Sequence, residues 1–394
     1  MTAYLLDWVN LLGRWVHMIT GIAWIGASFY FIWLDNSLET PKSKNDSDKG
    51  VSGEVWSVHG GGMYHAQKYQ VLPEKMPEHL HWFKWEAYTT WLSGMFMLAL
   101  MYWYGAEIYL IDPGVANLSK PVAIAIGLLV IALGWLGYNW LCESRFGKQE
   151  NLMAAILFVV LTVIAFFLCQ IFSGRGAYMH FGAMLGTIMV GNVFFVIIPG
   201  QKDLIQARKQ GRDPDPIHGI RGKQRSVHNT YFTLPVLFVM VSNHYAMTFG
   251  HKYNWAILIA ITLIGALIRV YFVARHKGKA SLLPVFCAVA ILCALIALMA
   301  PRTSTTAAAG TVELATVQGI VKERCSTCHA VVPTQPGFQA PPKAIVFETA
   351  EDITRQAQVI HQQTVVTRAM PIGNLTGITD EERAAIDAWF AQLN

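Results

Sequence analysis

Near the C-terminus stands Cys325-Ser326-Thr327-Cys328-His329. Two thiols separated by two residues, followed at once by an imidazole, form the pattern of c-type haem attachment. The spacing suits the two vinyl groups of one porphyrin, and the histidine beside the second thiol meets the iron from below. A zinc site would need two more ligands at suitable spacing, and a redox C-x-x-C pair would sit in a βαβ setting. The motif therefore predicts one covalent haem c held by Cys325, Cys328 and His329.

A sixth ligand is expected on the opposite face of the iron. Met370, in Arg368-Ala369-Met370-Pro371-Ile372-Gly373, is the only methionine after the motif and lies 41 residues beyond His329. Its turn-rich segment resembles the methionine loop of class I cytochromes c, in which His/Met ligation raises the haem potential. Residues 312–324 place Leu314, Val317 and Val321 on one helical face. Thr379-Asp380-Glu381-Glu382 reads as a capping box opening a last helix that carries Ile386, Trp389 and Phe390. In that family the first and last helices cross closely, and Gly319 is expected to admit an aromatic from the last. A small cytochrome c domain is thus expected over 312–394, after a Thr/Ala-rich linker at 301–311.

The rest of the chain must position a partner for that domain. Of 394 residues 54% are hydrophobic and 14% charged, against about 25% charged in a soluble domain. Stretches of roughly 20 mainly apolar residues, the length that crosses a bilayer, are read at about 8–34, 86–110, 121–141, 152–172, 177–199, 230–249, 254–275 and 281–300. Trp8, Tyr102, Trp103, Trp140 and Tyr271 lie near their ends, as in interfacial aromatic belts. The expected fold is all-α: an eight-helix transmembrane bundle over 1–300, then the cytochrome domain.

With the N-terminus outside, the inner loops hold 18 Lys and Arg, whereas the outer loops hold only Lys120, Arg175 and Lys252. That bias predicts an outside N-terminus and, after eight spans, an outside C-terminus. This is also the side on which bacteria attach c-type haem. The net charge of +5 is small, and no nucleic-acid partner is expected. Cys142, Cys169, Cys287 and Cys293 lie in or beside apolar helices and read as small packing residues.

Polar residues within spans are costly and often functional. His17, His180 and His244 fall in the expected outer leaflet, which makes them candidates for holding a membrane redox group, either a non-covalent b-type haem or another metal. His59, His65, His79, His81 and His228 form a second set at the inner side. Two related halves of four helices are suggested by His17 followed by Gly26-Ala27-Ser28-Phe29-Tyr30-Phe31-Ile32 and His180 followed by Gly191-Asn192-Val193-Phe194-Phe195-Val196-Ile197.

The whole chain resembles the bacterial membrane-bound urate oxidase family (urate hydroxylase, PuuD type). The resemblance rests on Arg14-Trp15-Val16-His17, on Trp82-Phe83-Lys84-Trp85-Glu86-Ala87-Tyr88-Thr89-Thr90-Trp91, on His228-Asn229-Thr230-Tyr231-Phe232-Thr233-Leu234-Pro235-Val236, on Ser242-Asn243-His244 and on the haem motif. It implies oxidation of urate to 5-hydroxyisourate at the bacterial cytoplasmic (inner) membrane. Electrons would leave through the haem to a soluble or membrane cytochrome c, or to a terminal oxidase. An anionic purine calls for cations, donors and aromatic faces, so Lys84, Thr90, His228 and Asn229 are the candidate catalytic residues, with histidine or lysine taking a proton. Two other readings stay open: an electron-transfer cytochrome subunit of a quinol-linked or terminal oxidase complex, and a transporter with a fused cytochrome.

Overall fold

The computed structural model describes residues 2–73, 75–276, 278, 281–300, 311–336, 338 and 340–393. The expected linker at 301–311 lies outside them except for its last residue. The chain is mostly helical. Helix α1 runs over Thr2–Ser37. Helix α2, Trp85–Leu98, continues as a π-helix over Ala99–Tyr104; then come α3, Lys120–Glu143, and α4, Glu150–Ile171. Helix α5, Gly174–Gly191, passes through a π-helix over Asn192–Ile197 into α6, Ile198–Lys209; α7 is Pro216–Ser242, α8 Asn254–His276 and α9 Leu283–Met299. Among the described residues, 5 helices are long and apolar enough to cross a membrane: Tyr4–Ser37, Lys120–Glu143, Glu150–Ile171, Gly174–Lys209 and Asn254–Arg275.

Helix α5 is the centre of the bundle. Of its apolar window 61% is buried, against 11% for α1. Its Tyr178, Phe181, Met184 and Leu185 are wholly enclosed, in a core shared with α2, α3, α4, α7 and α8. Helices α1 and α2 run antiparallel: a Cβ at Gly13 would meet Phe96 and Met97, one at Gly21 would meet Thr90, and Phe31 packs on Phe83.

The apolar stretch expected at 230–249 starts inside a helix that runs from Pro216 to Ser242, and its last residues lie beyond that helix. Hydropathy finds only the apolar part; the polar turns Ile217–Val227 extend the same helix, so His228 and Asn229 sit inside α7 rather than ahead of it. The two glycines of the suggested repeat have different surroundings. A Cβ at Gly191 would strike the Trp135 ring, whereas one at Gly26 would meet nothing within 4 Å.

An all-α fold also overlooks a β-hairpin. Strands β1, Val51–His59, and β2, Gly62–Tyr69, pair antiparallel with His59 opposite Gly62. The reversal falls on Gly60 and Gly61, with φ of 57° and 81°, the double left-handed turn that matches strand twist and that glycine alone adopts freely. Lys68 ties β2 to Asp35 on α1 at 2.6 Å.

The Glu54 carboxylate receives the Lys42 N–H at 3.1 Å and the His65 Nε2 at 2.9 Å. The Lys42 N–H chiefly, with help from His65, holds it below the usual carboxylate range, against the opposing effect of burial. A depressed carboxylate contributes stability above its unfolded value and loses it as pH falls through the folded one. Trp56 stacks on His65 at 4.2 Å. Its fluorescence should therefore hold steady as pH falls through the ordinary carboxylate range and change only below it; a change centred within that range would contradict this account.

The C-terminal unit packs α10, Leu314–Arg324, against the last helix α12, Asp380–Ala391, and the short α11, Ser326–His329, follows directly on α10. Its core joins Val317, Ile320, Val321, Cys325, Phe347, Ile353, Ile360, Ile386 and Trp389. The Thr379 hydroxyl accepts from the Glu382 N–H at 3.2 Å, and Glu382 accepts from the Thr379 N–H at 2.8 Å, closing the capping box at the start of α12. Gly319 does not have the expected part: a Cβ there would meet no atom within 4 Å, because the glycine lies on the exposed face of α10.

Candidate functional site

The attachment motif straddles the junction of α10 and α11. Both thiols are free of disulfides, Cys325 buried and Cys328 half-buried. His329 directs Nδ1 at the Ile345 carbonyl, 2.9 Å away. A carbonyl only accepts, so Nδ1 carries the proton and Nε2 keeps the lone pair that a metal needs. The imidazole packs on Phe347. The Met370 backbone is fastened on both sides: its N–H donates to the Gln363 carbonyl at 3.0 Å, and its carbonyl accepts from Arg383 at 3.1 Å. These groups suit the chemistry a c-type haem requires: Cys325 and Cys328 would be the attachment points and His329 Nε2 a ligand to the iron.

The Met370 loop abuts the bundle. Gly373, at φ of 57°, brings its backbone so close that a Cβ would stand 3.0 Å from the Ile108 carbonyl and 3.1 Å from that of Ile111. Gly250, just beyond α7, faces the Thr367 carbonyl in the same way. A cavity of about 520 Å³ opens along this seam, bordered by Tyr109, Asp112, Arg175, Phe249, Pro371 and Arg383 among others. Burial pushes the Asp112 carboxyl up, although the Gly114 N–H and Arg383 pull the other way.

A second cavity, about 460 Å³, lies within the bundle between α1, α2, α5 and α7. Its walls include His17, Thr90, Tyr102, Thr233 and His244, with Gly21, Gly94, Gly182 and Gly186. His17 directs Nδ1 to the Thr90 carbonyl at 2.9 Å, with the Ser93 hydroxyl at 3.1 Å. Tyr102 lies between the two cavities: it lines the one in the bundle and its ring is 6.1 Å from that of Tyr109, which lines the seam.

His180 does not join the other two histidines of its expected group. It is completely buried in α5. Its Nδ1 donates to the Gly176 carbonyl at 2.9 Å, and its Nε2 accepts from Trp103 Nε1 at 3.3 Å. With both nitrogens engaged and its ring against Gly127, it has no lone pair to offer a metal and acts as a packing histidine.

The four expected catalytic residues do not form one cluster either. Lys84 stands over the Trp85 ring at the start of α2. Thr90 gives its hydroxyl to the Glu86 carbonyl at 2.6 Å, within its own helix, and belongs to the His17 cavity. Helix α2 pairs with α1, whereas His228 and Asn229 face α3 and α5. There they enter a buried polar network that the sequence reading did not assemble. The Tyr138 hydroxyl is 2.8 Å from His228 Nδ1 and accepts from Asn192 at 3.1 Å. Asn192 also donates to Asn229 Oδ1 at 2.8 Å, and Asn229 in turn donates to the Met189 carbonyl at 3.0 Å.

Arg225 closes the network. It is 3% exposed, donates to Asn139 at 2.8 Å and to Asn192 at 3.4 Å, and lies over the Tyr138 ring. Its Nε is buried with no hydrogen-bond partner, and among the described residues no carboxylate pairs with it. Glu143 reaches it only through Asn139. The available signal was two amides, Asn139 and Asn192, inside otherwise apolar stretches.

A family model described as urate oxidase N-terminal matches residues 3–300. No curated protein and no solved structure matches the chain.

Proposed function

The chain belongs to the urate oxidase N-terminal family, and from that premise we propose a membrane-bound enzyme that oxidises urate to 5-hydroxyisourate. The family match carries the substrate, and Cys325-Ser326-Thr327-Cys328-His329 carries the route by which electrons leave. In this reading the long helices form an eight-span bundle in the bacterial cytoplasmic membrane, and the C-terminal unit is a cytochrome c domain. The N-terminus and that domain lie on the periplasmic side, where the scarce outer Lys and Arg also lie. The electrons then pass to a cytochrome c or a terminal oxidase.

Urate binds beside Arg225, His228 and Asn229, in the middle third of α7. A buried guanidinium with no carboxylate is costly to maintain unless an anion completes it. The urate monoanion is such an anion. Its ring amides suit the side-chain amides of Asn229 and Asn192, and the Tyr138 ring offers an aromatic face. The overall conversion takes one urate and one water to 5-hydroxyisourate, two electrons and two protons. Tyr138 and His228 share a proton between the hydroxyl and Nδ1, so together they can relay a proton released from the ring. Lys84 and Thr90 lie outside this place and drop out of it. When bound, the haem c would supply one-electron acceptance; Cys325, Cys328, His329 and Met370 would hold it, in the unit whose loops meet the bundle at Gly250 and Gly373.

The test is to add urate, without oxygen, to oxidised pure protein and follow the α-band of the c-type haem. Rapid reduction is expected. A spectrum unchanged by urate would overturn the enzyme reading in favour of an electron-transfer subunit without its own substrate site.

A further inference from the structure

The proposed urate site lies midway along α7, and the C-terminal unit meets the bundle beyond the C-terminal end of that helix, at Gly250. From His228 to Ser242, where α7 ends, is fourteen residues, about 21 Å along a helix at 1.5 Å per residue. Electron transfer slows exponentially with distance, so one step across such a gap would not sustain turnover. The count of electrons raises the same demand. Urate gives up two, whereas a single haem accepts one at a time.

The bundle cavity lies on that path. Along α7 its wall runs from Thr233 to Val241, with Asn243 and His244 just beyond the helix, and the Thr233 hydroxyl donates to the Asn229 carbonyl at 2.9 Å. At the other end Tyr102 leads through Tyr109 to the seam beside the Met370 loop. We propose that this cavity binds a non-covalent b-type haem, with His17 and His244 as its axial ligands. The proposal rests on the urate reading for its purpose, and on the cavity for its chemistry.

Three features specify this occupant. First, His17 is prepared as a ligand. The Thr90 carbonyl fixes the proton on Nδ1, so Nε2 presents a lone pair, the second-shell arrangement usual for metal-bound histidine. Second, His244 lines the same cavity from the turn that follows α7, across from His17 on α1, and among the described residues no side-chain partner takes its ring nitrogens. Cofactor sites in helix bundles are built from side chains that converge from different elements on the space between the helices. Third, the walls suit a broad flat macrocycle. They are mostly apolar, and Gly21, Gly94, Gly182 and Gly186 leave backbone where side chains would intrude. A Cβ at Gly94 would already stand 2.9 Å from the His17 ring, while one at Gly186 would project into empty space. Arg14, one turn from His17 on the same wall, can meet a propionate. The cavity volume of about 460 Å³ is within the range of cofactor sites. The electron step is a simple exchange: ferric iron takes one electron, urate or its one-electron oxidised form loses it, and the ferrous iron is reoxidised by the haem c.

The experiment is a pyridine haemochrome spectrum of the purified full-length protein. Equal amounts of b-type and c-type haem are expected. His17→Ala and His244→Ala should each lose the b-type signal at least about tenfold, while haem c remains covalently attached as the mark of a folded chain. Gly186→Leu, which fills the cavity without touching either histidine, should do the same. A wild-type spectrum of c-type haem alone overturns the proposal, whether or not the variants fold and whether or not a quinone is extracted in its place. So does b-type haem that survives both histidine variants. The two readings fail separately: urate reducing haem c in a protein without b-type haem would keep the function and discard this site. Conversely, b-type haem that urate leaves oxidised would keep the site and discard the function.

Discussion

Arg225→Gln is expected to slow urate-driven reduction of the haem sharply while leaving the haem itself intact. Glutamine keeps a donor towards Asn139 but removes the charge that an anion would complete. Losing one partner of a buried, hydrogen-bonded charge pair costs about 2–5 kcal/mol, so kcat/KM should fall by about 30-fold to several thousandfold. Because a buried guanidinium without a carboxylate is a burden on the free protein, the variant should fold at least as well as the wild type; the covalent haem and the melting curve check this. His228→Ala should also lower turnover, through loss of the proton partner of Tyr138, and Lys84→Ala should not. Wild-type kcat/KM in Arg225→Gln would move urate away from α7.

Gly373→Val should separate the two halves of the molecule electrically. The glycine has φ of 57° and no room for a Cβ between the Ile108 and Ile111 carbonyls. A β-branched residue is strained in that conformation and pushes the Met370 loop off the bundle. Displacements of about 1 Å at reacting groups can cost a hundredfold in rate, and a loss of that order is expected in urate-driven reduction of the c-type haem. Ascorbate, which reaches the haem from solution, should reduce it at the wild-type rate. Equal slowing of both reductions would point to damage in the haem domain instead, and an unchanged urate rate would show that this contact does not govern transfer.

Much of the architecture is legible in the sequence because its signals are local. The C-x-x-C-H string, the Thr379–Glu382 capping box and the long apolar runs depend on neighbours a few residues apart. The hairpin was local too: Gly60-Gly61 between alternating residues is a turn signal, masked by the weight of apolar helix around it. The polar network was harder to see. Asn139, Asn192 and Arg225 come from three separate helices, and each alone looks like an incidental polar residue. Only their convergence on Tyr138 and His228 gives them a meaning. His180 shows the converse. Its position predicts a ligand, and its two hydrogen bonds, to Gly176 and Trp103, remove it.

At two points of the seam between bundle and C-terminal unit backbone meets backbone, at Gly250 against Thr367 and at Gly373 against Ile108 and Ile111. Such a contact buries little apolar side chain and would bind weakly between separate molecules. Here both surfaces belong to one chain. Covalent connection raises the effective concentration of one at the other to roughly millimolar for short flexible connections, so a weak contact is enough to be populated. Weakness then becomes useful. A domain held by tether rather than by affinity can dock to be reduced, let go, and present the same face to an external oxidant. Strengthening the seam would in that case slow the enzyme, by lengthening each stay at the bundle.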